Sequence, residues 1–174
     1  MIKSEKRKMA GGWVLTIVIA VAVALVVRNF VFGIILVNGP SMLPTLHTSE
    51  WLAVEKVTRY FGIPARQDII IVKYPGEEDT YVKRVIGLPG ETIEVRDSIV
   101  YIDGQPLDEP YVSNEPYADM EPVLVPEEHV FVMGDNRAHS WDSRNKNTGP
   151  IAREEIVGHA FWVLYPFSEA RSIS

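Results

Sequence analysis

The sequence predicts a mainly β protein: an N-terminal single-pass transmembrane helix, then one antiparallel β-rich domain with a small hairpin and loop as a cap. Three observations carry this. Met9 to Val27 is an uncharged, apolar run directly after Lys3, Lys6, Arg7 and Lys8. Beyond residue 34 the pattern changes to short runs of period two, rich in β-branched and aromatic residues and bounded by Gly, Pro and Asp. With the N-terminal segment set aside, about 135 residues remain, enough for one domain with its own core.

The anchor comes first. At ~1.5 Å per residue, the run from Met9 to Val27 spans about 28 Å, close to the ~30 Å hydrocarbon core, and Arg28 can snorkel at the far boundary. The expected organisation is a basic tail over residues 1–8, a transmembrane helix over 9–33 and a β-rich domain over 34–174. The basic cluster places the N-terminus in the cytoplasm and the domain on the outer face. Ala20-Val-Ala and Ala22-Val-Ala match a signal-peptide cleavage pattern, but they lie inside the apolar run rather than at its polar end, which favours a retained anchor. Residues 1–33 hold five basic groups and one acidic, residues 34–174 twelve and 22. A folded part so acidic argues against nucleic acid, because phosphate binding needs clustered cations. Without cysteine there is no disulfide, thiol nucleophile or thiolate metal site.

Candidate strands follow in order at Trp51–Val57, Asp68–Tyr74, Thr80–Ile86, Glu91–Val95, Ser98–Ile102 and Val130–Met133. Asp103-Gly104 supplies the positive φ values of a hairpin turn between Ile99–Ile102 and Gln105–Leu107. Residues 106–128 read as loop, with prolines at 106, 110, 116, 122 and 126 among acidic groups. A turn or two of helix is expected near Ala152–Ile156, and Phe161–Phe167, too short to cross a membrane, reads as a final strand.

Three polar clusters stand out against this β framework. In Asn38-Gly-Pro-Ser-Met-Leu-Pro-Thr-Leu46, prolines on either side hold Ser41 on a stiff, non-helical segment and bias Gly39 and Leu43 towards extended geometry. A serine nucleophile needs a base. His47 and His139 lack a triad context. Lys83 lies in Tyr81-Val-Lys-Arg-Val-Ile-Gly-Leu-Pro-Gly90, where alternation puts Tyr81, Lys83 and Val85 on one face and Val82, Arg84 and Ile86 on the other. Flanked by Tyr and Val, its amine would be desolvated, and the lowered pKa would yield the neutral form a base requires. The competing reading is an edge-strand lysine pointing into water. The third cluster is Gly134-Asp-Asn-Arg-Ala-His-Ser-Trp-Asp-Ser-Arg144.

In order and spacing, and behind a basic-plus-apolar anchor, these clusters resemble the serial motifs of the bacterial type I signal peptidases. These are plasma-membrane serine endopeptidases that remove signal peptides from exported preproteins. The Gly at 39 is similar to the Gram-positive branch. The resemblance implies Ser41 as nucleophile and Lys83 as general base, with Ser140 hydrogen-bonding and orienting the lysine amine. It further implies a structural charge network of Arg84 with Asp135 and Asp142 with Arg144. The oxyanion would be met by the Ser41 N–H, with Gly39 standing where part of the family has a hydroxyl donor; whether water or the Gly39 backbone replaces that donor is open. No metal or cofactor is implied. The partners are the signal-peptide region of preproteins and the lipid bilayer.

An extended peptide would add as a strand between the segment before Ser41 and the strand carrying Lys83, so that alternate side chains enter shallow pockets. Val37, Met42, Leu46, Tyr81 and Val82 are assigned to them, and the family's Ala-x-Ala preference would follow. Exposed apolar side chains around Phe30–Leu36, Met42 and Leu43 would dip into the bilayer. Only 49 residues separate Lys83 from Met133, so the large β insertion of longer family members is reduced here to a hairpin and a loop. Two other classes fit parts of the pattern. A self-cleaving Ser-Lys repressor-type protease would need an N-terminal DNA-binding domain, and a basic tail with a membrane helix is not one. A catalytically inactive, membrane-displayed β module that binds exported peptides would have no reason to keep both Ser41 and Lys83.

Overall fold

The computed structural model describes residues 2–113 and 115–173, with side chains from residue 13 onward. The readings built on Lys3, Lys6, Arg7 and Lys8 lie outside the described side chains. Helix α1 spans Ile2–Phe30, and its Trp13–Phe30 stretch, at mean hydropathy 2.2 and with nothing buried, is long and apolar enough to cross a membrane. In hydrocarbon a chain must satisfy its own backbone, so such a run becomes helix. The helix stops earlier than the sequence suggested. Strand β1 (Phe32–Leu36) begins at once and pairs antiparallel with β2 (Trp51–Glu55), Phe32 opposite Glu55 and Leu36 opposite Trp51, so the boundary expected at residue 33 falls inside a strand.

The remaining strands are β3 (Ile69–Lys73), β4 (Thr80–Gly87), β5 (Thr92–Arg96), β6 (Ile99–Ile102), β7 (Gln105–Pro106), β8 (Met120–Leu124), β9 (His129–Met133), β10 (Ile151–Ala152), β11 (Ile156–Tyr165) and β12 (Arg171–Ser172). The larger sheet runs β1-β2-β11-β3-β4-β9-β10, with β12 on β11, and the smaller runs β7-β6-β5-β8. All pairings are antiparallel. The cap is therefore a four-stranded sheet rather than a hairpin with a loop. Its fourth strand, β8, lies inside the Pro-rich stretch read as loop; Pro122 is tolerated there because β8 is an edge strand, where a missing N–H is no loss. The turn near Ala152–Ile156 is a single 3-10 turn, Arg153–Glu155, and the last long strand starts at Ile156, five residues before the one expected.

Alternation decides what faces in. On β1 and β2, Ile35, Leu52 and Val54 turn towards a core of Val37, Met42, Leu46, Ile69, Ile71, Ala160 and Val163. The opposite face of β3 and β4 packs Ile70, Val72 and Val85 with Val130, Val132 and Ile151, and Ile86, Phe131 and Met133 meet Ile93, Val95 and Val100 of the cap sheet. One detail positions the site. Thr80–Arg84 of β4 pair with β3, but on the other side β9 pairs only with Arg84, Val85 and Gly87. Among the described residues, the first half of β4 has no strand on that side.

Candidate active site

Ser41 sits in a run of turns between β1 and β2, where the Leu43 N–H donates to the Pro40 carbonyl and the Leu46 N–H to the Met42 carbonyl. Gly39 is not extended as its place before proline suggested. It has φ +92°, a region that glycine enters without Cβ strain, and this overrides the bias of the following proline. Met42 and Leu46, almost fully buried, nail the turn to the core. From the other side the Asn136 N–H donates to the Ser41 carbonyl (3.0 Å), and its side chain to the Pro40 carbonyl (3.1 Å).

Lys83, midway along β4, reaches this turn: its Nζ lies 2.8 Å from Ser41 Oγ, and the residue is 2 % exposed. Burial brings the amine from lysine's ordinary 10.5 down to about 8, with Asp142 and Asp135 pulling it back up and Arg144 pushing it down. His139 is exposed beside Glu115, and His47 is exposed on the loop after Ser41. Neither hydrogen-bonds Ser41 among the described residues.

A charge network underlies the pair. Arg84, 5 % exposed, donates from Nε (2.8 Å) and Nη2 (2.7 Å) to the two oxygens of Asp135. Its Nη1 donates to the Gln67 carbonyl, and Thr45 donates its hydroxyl to Asp135. Asp142 accepts from Arg144 Nε and Nη2 (both 2.8 Å) and from the Gly134 N–H (3.0 Å). These bonds close the loop 134–144 on itself, and Tyr74 ties it to β3 by donating its hydroxyl to the Trp141 carbonyl.

A half-buried serine beside a buried amine lowered towards neutrality is the equipment of a serine peptidase. The sequence family described as signal peptidase, peptidase S26, matches residues 10–165. The chain belongs to this family. It is 43% identical to signal peptidase I S of Bacillus subtilis, over 98% of each chain, and 46% identical to signal peptidase I T of the same organism, over 91% of this chain and 87% of that one. A crystal structure of a signal peptidase I from Enterococcus faecalis, 38% identical, covers 56% of this chain with a TM-score of 0.47. Serine-peptidase chemistry comes with the family.

Against that background the structure revises two sequence-based expectations for this family member. Ser140 Oγ forms no hydrogen bond to Lys83; it is buried and has no partner among the described residues. Ser140 instead lies over Gly134, where an added Cβ would sit 2.3 Å from Ser140 Oγ and 2.4 Å from the Ser41 carbonyl oxygen. The residues assigned to substrate pockets also separate. Val37, Met42 and Leu46 are closed within the core at 4%, 1% and 0% exposure, with Val82 packed on them. Tyr81 projects from the other face of β4, stacked on Tyr74 at 4.3 Å, its hydroxyl bonded to Glu77, which pushes the phenol up to about 12. Asn136, Thr45 and Tyr74 were not singled out in the sequence: each works through a contact distant along the chain, which spacing alone does not reveal.

Proposed function

We propose that this chain is a membrane-bound serine endopeptidase that removes signal peptides from exported preproteins after small-x-small sites, with Ser41 as nucleophile and Lys83 as general base. The observation that carries the reading is the 2.8 Å approach of Ser41 Oγ to an amine only 2 % exposed. The neutral amine takes the Ser41 proton as Oγ attacks the scissile carbonyl, then delivers a proton to the leaving amine. Lysine is suited to this only when desolvated, and burial supplies that condition. The Ser41 N–H, which donates to no other group among the described residues, faces the developing oxyanion. Gly39 at φ +92° has open space around it, so solvent can approach where a hydroxyl donor is missing.

The unpaired first half of β4 supports the substrate's mode of binding. An extended peptide placed there continues the sheet where β9 stops, beside the Ser41 turn, so backbone bonds supply affinity and small side chains fit a site whose apolar walls are already packed. The exposed apolar helix anchors the enzyme in the bilayer that holds the substrate's own apolar segment, with the N-terminus cytoplasmic and the β domain outside. The test is cleavage of a preprotein with an Ala-x-Ala site in liposomes by wild type, Ser41→Ala, Lys83→Ala and His139→Ala, all verified as folded. Loss of cleavage in the first two variants alone is the expected outcome. Activity in Lys83→Ala with loss in His139→Ala would overturn the base, and an inert wild type would move the peptide-binding module forward.

A further inference from the structure

The segment between the cap hairpin and β8 does more than connect. Glu109, whose side chain is 9 % exposed, makes a two-pronged ion pair with Arg137, whose side chain is 1 % exposed: Arg137 Nη1 donates to Glu109 Oε2 at 2.9 Å, and Nη2 donates to Oε1. Burial alone would lower the Arg137 pKa, and the Glu109 carboxylate overrides it, holding the guanidinium charged. From the same segment the Tyr117 hydroxyl accepts from Arg137 (3.1 Å), and its ring lies 5.4 Å from the Arg144 guanidinium. The Tyr111 ring stacks on Arg84 at 3.9 Å. Three arginines of the site are thus each met by a side chain of residues 109–117.

The consequence runs through Arg137. Its Nε donates to the Gly134 carbonyl (3.2 Å), and its own carbonyl accepts from Arg144 (2.7 Å), the residue that grips Asp142. Gly134 is the position pressed between the Ser41 carbonyl and the Ser140 side chain. We infer that Glu109 is a positioning residue, which through Arg137 clamps the loop 134–144 against the Ser41–Lys83 pair and keeps water from the lysine amine. A charge-assisted, two-pronged bond is a fitting clamp because it fixes direction as well as distance. The inference rests on the proposed roles of Ser41 and Lys83 but carries a readout of its own.

The experiment uses full-length protein in liposomes and compares wild type, Glu109→Gln and, as a control in the same segment, Glu115→Gln, whose carboxylate is half exposed beside His139. With the clamp loosened, water enters and relieves the desolvation that depresses Lys83. In Glu109→Gln the acidic limb of the kcat–pH profile should move up by roughly half a unit to one unit, and kcat at pH 7 should fall about threefold to ninefold, with KM within about twofold. Glu115→Gln should match wild type. Independently of turnover, the titration of an isotope-labelled Lys83 Cε resonance in detergent micelles should shift upward in Glu109→Gln alone. A Glu109→Gln protein that only melts earlier, with both profiles unmoved below its melting temperature, would make Glu109 merely structural and overturn the inference. Should wild type cleave nothing while the lysine titration still shifts, the proposed function fails and the clamp stands; if the titration is unmoved, the clamp fails whatever the activity.

Discussion

An amine 2 % exposed and lowered to about 8 gives up its proton more readily than an ordinary lysine, and that one residue sets two pH trends. For turnover by the proposed mechanism, only neutral Lys83 could accept the Ser41 proton, so kcat should climb about tenfold per pH unit below the lysine pKa and level off above about 8; a pH–rate profile checks this. For stability the sign is the same and the window different. Between about 8 and 10.5 an unfolded lysine is protonated while the folded one is not, so the unfolded state holds more protons and stability rises with pH through that range. Below it the full cost of burying the ammonium remains. Lys83→Met should therefore abolish cleavage and raise stability at pH 7 on the order of 2 kcal/mol, read by denaturant unfolding. Asp135 shows the opposite case. It is fully buried and holds Arg84 with two bonds, so Asp135→Ala leaves a buried guanidinium unpaired and should cost about 3–5 kcal/mol.

Loop 134–144 and the Ser41 turn meet at a glycine with no room for a side chain. Gly134→Ala would drive a methyl into Ser140 and into the Ser41 carbonyl, at 2.3 and 2.4 Å, and the backbone oxygen cannot yield cheaply. The expected result is a folded protein with kcat down by about a hundredfold or more, because a 1 Å displacement at the reacting atoms suffices for that. Which elements could be read from sequence follows from the range of the forces that make them. Strands β2 to β6 and β9 are short runs rich in β-branched and aromatic residues, and their expected limits lie close to the observed ones. β1 was hidden because its residues continue the apolar run of the helix, and only pairing with β2 makes Phe32–Leu36 a strand. β8 was hidden by Pro122, which argues for loop until the strand's place on an edge is known. Ser41, Lys83 and the Arg84–Asp135 and Asp142–Arg144 pairs were legible as motifs. The Glu109–Arg137 bond was not, since its partners stand 28 positions apart in the chain.

On the scale of the whole molecule, Phe32, Ile34 and Leu36 of β1, Trp51 of β2, and Trp162 and Tyr165 of β11 share an exposed surface that continues directly from the end of α1. So broad an apolar surface in line with an apolar helix is shaped to rest on a bilayer. Leu36→Ser with Trp51→Ser should leave cleavage of a short soluble peptide unchanged while slowing that of a bilayer-embedded preprotein severalfold, the ratio of the two rates being the measurement. The half-paired β4 adds a temporal asymmetry to this layout. If the substrate upstream of the cut is seated as an extra strand, severing the bond frees the downstream chain at once, whereas the upstream piece keeps every ladder bond and lingers. Regeneration of the empty enzyme would then wait on a strand peeling away, and the spent fragment would act as a competitor for the next substrate.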